Sequence, residues 1–447
     1  MIALFQSQTG LAVLGFAMVA VFTLVVMSRR VSPLIALIIV PVAFALLGGL
    51  GAEIAPMAVD GVRQLAPTIV MITFAVLYFS LMLDAGLFEP LVARVLKLTG
   101  DDPVRITLGT AGLSLFIAFS GDGISTGLVV LAAFLPIYRR MRMDTAVLGA
   151  LMAFAVAVQN LSPWGGPTPR AAAALGVDPA AIFMAVLPAV VAGSLAVLLV
   201  AWLLGRCERE RLAGLVSDDA EVDAEAFAGG GMIGDKAARR PKLIWVNLAL
   251  TLALIVALAT GFASPVILFP IGCALALMIN YPSLESQRTR ITSHAENLVS
   301  FVLLFFGAGI FTGILNGSGM IEAMAGAAVA ALPAEVGRGL GPITALLSMP
   351  LTYFMPNDAF FFGALPVLAK TAAAYGITPL QMASASVLGQ PVHVLSPLLP
   401  SLFVFSALLG IDPGRYLKRA VPWAIFVSLV MIAAALVSGA VPLFTAS

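Results

Sequence analysis

Apolar stretches of roughly bilayer length follow one another along this chain, separated by short polar and basic connections. A helix needs about 20 mostly apolar residues to cross the hydrocarbon core. The clearest candidate spans cover residues 10–27, 33–50, 65–83, 144–158 and 181–205 in the first half. In the second half they cover 242–260, 264–280, 298–315, 379–392 and 418–444. Two further apolar stretches, 104–138 and 339–372, break midway at polar, Gly-rich or Pro-containing sequence. These read as re-entrant hairpins, because irregular backbone is excluded from lipid contact but tolerated where it lines a buried cavity. The expected fold class is therefore an all-α polytopic membrane protein.

The halves repeat each other. Ala85-Gly86-Leu87-Phe88-Glu89 echoes Ser318-Gly319-Met320-Ile321-Glu322, the break at Asp122 echoes that at Asn357 and Asp358, and Leu161-Ser162-Pro163 echoes Leu395-Ser396-Pro397. Gly86 and Gly319 stand 233 residues apart, Asp122 and Asn357 235, and Ser162 and Ser396 234. Five crossings per half is an odd number, so the second copy must lie upside down relative to the first. Residues 1–205 are expected to form the first inverted repeat, with a hairpin at 104–138 and a broken helix at 144–176. Residues 242–447 are expected to form the second, with a hairpin at 339–372 and a broken helix at 379–410. Between them, 206–241 mixes Asp218, Asp219, Glu221, Asp223 and Glu225 with Gly229-Gly230-Gly231, which reads as a solvated cytoplasmic linker.

Composition agrees with a lipid solvent. Of 447 residues, 61% are hydrophobic and 11% charged, where soluble proteins carry about a quarter charged residues. No extramembrane stretch is long enough for a catalytic domain, and there is no phosphate-binding Gly-Lys-Ser/Thr loop, so an ATP-driven pump is disfavoured. A net charge of +1 argues against a nucleic-acid partner. Cys207 and Cys273 have no metal-site spacing. The opening MIALFQSQTGLAVLGFAMVAVF lacks a basic leader and reads as a retained first helix.

The distribution of basic residues sets an orientation. With the amino terminus outside, the cytoplasmic segments hold Arg29, Arg30, Arg94, Lys97, Arg105, Arg139, Arg140, Arg142, Arg206, Arg209, Arg211, Lys236, Arg239, Arg240, Lys242, Arg288, Arg290, Arg415, Lys418 and Arg419. Only Arg63, Arg170, Arg338 and Lys370 of the 24 basic residues fall elsewhere. The positive-inside rule then places both termini outside the cell's inner membrane.

Four polar islands interrupt the apolar pattern in two symmetric pairs. The first pair is Ser120-Gly121-Asp122-Gly123 at one hairpin tip and Pro356-Asn357-Asp358 at the other. Such tips expose backbone N–H groups at the start of a returning helix, which attract anions. Asp122, Asn357 and Asp358 are equally the residue types that cap helices, yet an ionisable group at membrane depth costs several kcal/mol and usually has a function. The second pair is Asn160-Leu161-Ser162-Pro163-Trp164-Gly165-Gly166-Pro167-Thr168-Pro169-Arg170 and Gln390-Pro391-Val392-His393-Val394-Leu395-Ser396-Pro397-Leu398-Leu399-Pro400-Ser401. Neither can be continuous helix. Unwinding frees amides and carbonyls for a polar solute near the midplane.

Ser120, Gly121, Asp122, Gly123, Asn160, Ser162, Gly165, Gly166, Thr168, Arg170, Asn357, Asp358, His393, Ser396 and Ser401 are accordingly the candidate substrate-binding residues. Arg170 can fork onto a substrate carboxylate, or instead neutralise Asp122 or Asp358. His393 has an imidazole suited to a proton relay, or simply hydrogen-bonds the broken backbone. His294, near Arg288 and Arg290, reads as a solvated bystander. An intramembrane enzyme would need Ser162 or Ser396 paired with His393.

The segments NLSPWGGPTPRAAAAL at 160–175, PNDAFFFGALPVLAK at 356–370 and GQPVHVLSPLLPS at 389–401 resemble the signature regions of the CitMHS citrate transporters, within the wider ion-transporter superfamily. The resemblance covers essentially the whole chain. It implies an inverted-repeat fold with a scaffold domain and an elevator-type transport domain. It also implies proton-coupled uptake of citrate complexed with a divalent cation such as Mg²⁺ or Ca²⁺. No separate cofactor is implied, since the cation belongs to the transported complex. Asp122 and Asp358 are then candidates to touch the metal, and His393 and Asp358 to couple protons. The Ser-Asn-Thr tips of sodium-coupled relatives are absent, so their sodium sites are not carried over. Superfamily members are often dimers, so a homodimer is an expectation of the resemblance alone. Gluconate, a dicarboxylate or ion antiport are the alternatives within transport.

Overall fold

Helix starts in this chain are written by short polar side chains ahead of apolar runs. Ser7, Ser32, Asp102, Asp144, Ser264, Ser283, Thr378 and Asp412 each accept a backbone N–H from the first turn of the helix that follows. The computed structural model describes residues 7–28, 30–213, 238–260 and 262–444. The expected termini, Arg29, Lys236 and most of the linker, with its acidic run and Gly229–Gly231, lie outside the described residues.

The first half comprises α1 (Gln8–Met27), α2 (Pro33–Leu47), α3 (Ile54–Asp84), α4 (Glu89–Thr99), α5 (Pro103–Ala118), α6 (Gly123–Arg140), α7 (Thr145–Gln159), α8 (Pro167–Leu175) and α9 (Pro179–Ala213). The second comprises α10 (Ile244–Ala259), α11 (Pro265–Asn280), α12 (Leu284–Ser293), α13 (Ala295–Gly317), α14 (Met320–Ala331), α15 (Ala334–Arg338), α16 (Leu340–Phe354), α17 (Leu365–Ala373), α18 (Pro379–Ser386), α19 (Gln390–His393), α20 (Pro400–Leu409) and α21 (Pro413–Val437). A π-helical turn, Ala359–Ala364, leads into α17. Among the described residues, six helical stretches have the length and hydropathy to cross a bilayer unaided.

Two inverted repeats build this all-α membrane fold. Helices α5 and α6 form one hairpin and α16 and α17 the other; α7/α8 and α18–α20 are the two broken helices. Gly86 and Gly319 both take positive φ, +84° and +74°, at the carboxyl ends of α3 and α13. The sequence echo is thus also a conformational one, since a left-handed residue ends each copy of the helix. α3 starts at Ile54, earlier than hydropathy alone indicates, and carries Asp60 and Arg63 on its exposed first turns. Helices α4, α12, α14 and α15 were not anticipated. They are 5–12 residues long, too short to leave a bilayer-length signature.

The scaffold consists of α1–α3, α10, α11 and α13, and the mates α3 and α13 cross at its centre. That crossing requires glycine. A Cβ on Gly61 would overlap the carbonyl oxygen of Gly309, and one on Gly313 would overlap that of Met57. Asn247 of α10 and Asn280 of α11 exchange two side-chain amide hydrogen bonds of 2.8 Å, and Tyr78 of α3 meets Thr251 of α10 at 2.9 Å. These pairs satisfy polar groups that lipid could not.

The transport domain, α5–α9 and α16–α21, is closed by packing of α9 against both α5 and α21. Its two repeats interlock crosswise: α8 packs on the second hairpin and α20 on the first. One end of this domain is rich in paired bases, with Arg140 on Asp101, Arg209 and Arg105 on Asp102, Arg211 on Glu208 and Arg415 on Asp144. Beside the scaffold, Arg239 pairs with Glu89 at 3.1 Å and Arg290 with Asp84 at 3.6 Å.

Candidate functional site

The four islands meet. A cavity of about 470 Å³ opens where both hairpin tips and both helix breaks converge, with α3 and α13 of the scaffold forming its opposite wall. Of the sequence-derived candidates, Gly121, Asp122, Gly123, Asn160, Gly166, Arg170, Asn357, Asp358, His393 and Ser401 line it. Ser120, Ser162, Gly165, Thr168 and Ser396 do not line it.

Each tip is held by its own repeat. Gly121 turns the first hairpin with φ +83°, and Asp122 then caps α6, its Oδ1 accepting from Ile124 N (3.0 Å) and Ser125 N (3.1 Å) and its Oδ2 from the Ser125 hydroxyl. Capping is therefore what Asp122 does here, though its carboxylate still borders the cavity. Trp164 Nε1 donates to the Phe119 carbonyl at 2.9 Å, fastening the first break to the first tip. In the second repeat, Asn357 and Gln390 exchange side-chain amide hydrogen bonds of 3.3 and 3.4 Å. His393 Nδ1 donates to Thr352 O at 2.6 Å and Ser396 Oγ to Tyr353 O at 2.6 Å.

Several candidates shape the broken helices without lining the cavity. Thr168 Oγ1 donates to Leu161 O at 2.8 Å, bridging the first break. Gly165 lies so close to the Asn160 carbonyl that no Cβ fits, and Asn160 Oδ1 accepts from Gly166 N at 2.9 Å. Ser120 Oγ accepts only a long 3.5 Å bond from Asp122 N. Ser162 is fully buried, and its hydroxyl finds no hydrogen-bond partner among the described residues. Ser396 is bonded to a backbone carbonyl and His393 to another, so no serine–imidazole pair forms here.

Arg170 takes the second of the roles open to it in the sequence. Its Nε donates to Asp358 Oδ1 at 2.7 Å and its Nη1 to Gly166 O at 2.8 Å, with both side chains of the pair nearly buried. In this structure the guanidinium is held in an internal pair. The physical reason is proximity: crosswise packing of α8 on the second hairpin brings the guanidinium to the nearest unpaired acid. One carboxylate oxygen of Asp358, Oδ1, is thereby committed to Arg170.

Several residues of the cavity were not among the candidates. Trp164 and Gln390 stand inside the islands; the interruption itself was their signal. Trp164 stacks on Phe79 with centroids 5.2 Å apart and meets Phe269 edge-on at 5.2 Å, so it touches the scaffold. Ser80 and His294 come from the scaffold and belong to no motif. His294 is not a solvated bystander: its Nε2 lies 2.8 Å from Asp84 Oδ2, and it lines the cavity. Among the described residues, no three His, Cys, Asp or Glu side chains gather to hold a metal ion.

The helix starts decide the electrostatics. α6, α8, α20 and the turn leading into α17 all begin at the cavity, marked by Gly123, Gly166, Ser401 and Asp358. Four helix N-termini therefore border one space, and the positive ends of their dipoles favour a negatively charged solute. The formal charges beside them are Arg170 and Asp358, which cancel, and Asp122.

Comparison with known proteins agrees with this architecture. The family model of CitMHS, described as "Citrate transporter", matches residues 11–389. A "Citrate transporter" of Bacillus subtilis (strain 168) is 45% identical over 429 residues, 96% of this chain and 99% of that protein. The "Mg(2+)/citrate complex secondary transporter" of the same organism is 43% identical over 432 residues, again 96% and 99% of the two chains. Among solved structures, the YdaH transporter of Alcanivorax borkumensis aligns with TM-score 0.55 at 15% identity, covering 96% of this chain and 99% of that one. MtrF of Neisseria gonorrhoeae, described among antimetabolite efflux pumps, aligns with TM-score 0.59 at 16% identity, covering 88% and 85%. At such identities the structural likeness speaks for the fold alone. Family and relatives are transporters rather than enzymes, and this multi-pass membrane chain belongs to the CitMHS citrate transporter family.

Proposed function

We propose that this chain imports citrate as a complex with a divalent cation, in symport with protons. The observation that carries the reading is the charge of the cavity. Helix N-termini favour an anion, but the one arginine is already balanced by Asp358, and Asp122 adds a negative charge. A free citrate of about three negative charges would be poorly compensated there, because desolvating unpaired charge is costly. Citrate bound to Mg²⁺ or Ca²⁺ carries a net charge of about −1, and such cations favour oxygen ligands. Among the described residues no three acid, histidine or cysteine side chains gather, so the cation would take most of its ligands from citrate. The similarity to a transporter named for the magnesium–citrate complex supports the same choice.

The Arg170–Asp358 pair offers a coupling device. A proton added to the Asp358 carboxylate neutralises it, releasing the guanidinium to fork onto a citrate carboxylate; the acid re-ionises when the substrate leaves. His393, whose Nδ1 is committed to Thr352 O, keeps Nε2 for a second contact. The basic ends of the helices are assigned to the cytoplasm, with both termini outside the inner membrane. The cavity reaches Tyr416, beside Arg415, and His294, so in this orientation the site faces the cytoplasm. Each net positive charge carried inward gains about 2.3 kcal/mol per 100 mV of an inside-negative potential, so protons must more than balance the complex for the potential to drive uptake.

The test is uptake of labelled citrate into proteoliposomes with a panel of divalent cations under imposed pH gradients. Uptake that needs both the cation and an inward proton gradient is expected. Cation-independent citrate uptake, or transport only of gluconate or a dicarboxylate, would overturn the reading.

A further inference from the structure

We propose that His294, on the scaffold wall of the cavity, is a second proton-exchanging group, and that its protonation tightens binding of the anionic substrate complex. The proposal rests on the metal–citrate:proton reading and places part of the coupling outside the polar islands, on the part of the protein that does not carry them.

The geometry is specific. His294 sits at the junction of α12 and α13, 210 residues from Asp84 at the carboxyl end of α3, yet its Nε2 lies 2.8 Å from Asp84 Oδ2. Arg290 of α12 approaches the same oxygen at 3.6 Å. The side chains of His294, Asp84 and Arg290 are 21%, 16% and 11% exposed, so the cluster is sheltered without being sealed. Nε2 donates to the carboxylate in the neutral imidazole, and Nδ1 has no hydrogen-bond partner among the described residues. A proton arriving from water in the cavity binds Nδ1 and converts the pair to imidazolium–carboxylate. The same proton leaves from Nδ1, with no bond change elsewhere.

The surrounding charges set the direction of the effect. Asp84 favours the imidazolium; Arg290, with Arg288 on the same helix, opposes it, and Glu296 opens the first turn of α13. Across the cavity stand Asp122, the Arg170–Asp358 pair, His393 and Tyr416. Neutral His294 leaves Asp84 and Arg290 to cancel, and protonated His294 adds one positive charge to the wall. An anion in the cavity and a proton on His294 therefore stabilise each other, and this linkage is reciprocal. Histidine is the side chain suited to such a role near neutral pH.

Counterflow of labelled citrate at saturating magnesium, with equal pH on both faces of the vesicle, isolates this linkage from any imposed gradient. For the unaltered protein, KM is expected to rise on the order of fivefold between roughly pH 5.5 and 7.5. In His294→Gln the rise should shrink at least about twofold relative to the unaltered protein, the remainder being that of the Arg170–Asp358 pair. Asp84→Asn keeps the imidazole but removes its carboxylate, so the rise should persist with its midpoint at lower pH. A His294→Gln protein that retains the full rise overturns the proposal, as does an Asp84→Asn midpoint that stays in place. Should His294→Gln fail to give monodisperse protein in detergent, the Asp84→Asn midpoint decides. No magnesium-dependent counterflow in the unaltered protein would instead overturn the functional reading on which the proposal stands.

Discussion

Arg170 of the first repeat and Asp358 of the second, 188 residues apart in the chain, meet at 2.7 Å across the cavity floor. This pair joins the two inverted copies at the place where the substrate is proposed to bind, and its chemistry makes the copies mutually dependent. Replacing either partner leaves an uncompensated charge in a nearly buried position, costing about 3 kcal/mol. Arg170→Lys retains charge but loses the planar fork. Citrate kcat/KM should fall at least about tenfold in Arg170→Lys with assembly intact. Arg170→Met combined with Asp358→Leu should recover thermal stability in detergent relative to either single change, without recovering transport. Restored transport in the double variant would contradict the assigned role.

Asp122 distinguishes a cap from a ligand. Its Oδ1 holds two amides of α6, and asparagine can hold them equally well. Asp122→Ala should lower stability by about 1 kcal/mol, whereas Asp122→Asn should leave melting unchanged. If the carboxylate contacts the cation of the complex, Asp122→Asn will raise KM for magnesium–citrate. An unchanged KM would confine Asp122 to capping.

The mates Ser162 and Ser396 should behave oppositely. Ser396 Oγ ties the second break to the hairpin through Tyr353 O, so Ser396→Ala orphans a buried carbonyl at a cost of about 1–3 kcal/mol. Ser162 has a buried hydroxyl without a partner among the described residues, so Ser162→Ala should be neutral or stabilising. Thermal melts of the two purified variants check both signs.

The crossing of α3 and α13 has no room for side chains at Gly61 and Gly313. Gly313→Val should force the helices apart and cost about 1–3 kcal/mol or more. Gly326, with open space around its missing Cβ, should accept alanine without loss. Yield of monodisperse protein from detergent compares the two.

Asp102 provides an acid-stability prediction at the end of the transport domain. Partial burial pushes its carboxyl up. The Arg209 hydrogen bond and charge, the Val104 amide and Arg105 outweigh this and hold it below the usual carboxylate range. Its stabilisation is therefore full above the unfolded value of about 3.9 and is lost as pH falls through the lower folded value. Asp102→Asn should lower Tm at neutral pH, and the difference should shrink on acidification below about pH 4. A Tm difference that grows on acidification would refute the assignment.

The repeat and its interruptions were legible because both follow local rules. Glycine, proline and polar residues inside bilayer-length apolar runs have few structural solutions, whichever neighbours they meet. Gly86 and Gly319, matched in sequence, adopt matching left-handed conformations because each must end a copy of the same helix. The short helices α4, α12, α14 and α15 have no sequence signature because runs of 5–12 residues are too short for a bilayer-length pattern.

Site partners were decided elsewhere. Nothing near Arg170 in the chain identifies Asp358 rather than Asp122 as its counterion, and nothing near His294 announces Asp84. The alternation of apolar and polar segments, set by the cost of placing polar backbone in lipid, is a property each stretch carries alone. By itself it determined a twice-repeated, twice-broken membrane chain with polar islands at its centre. Which charges cancel and which carboxylate is spent on a cap depend on distances between segments some 200 residues apart. Those distances exist only once the inverted copies have docked against each other and the scaffold.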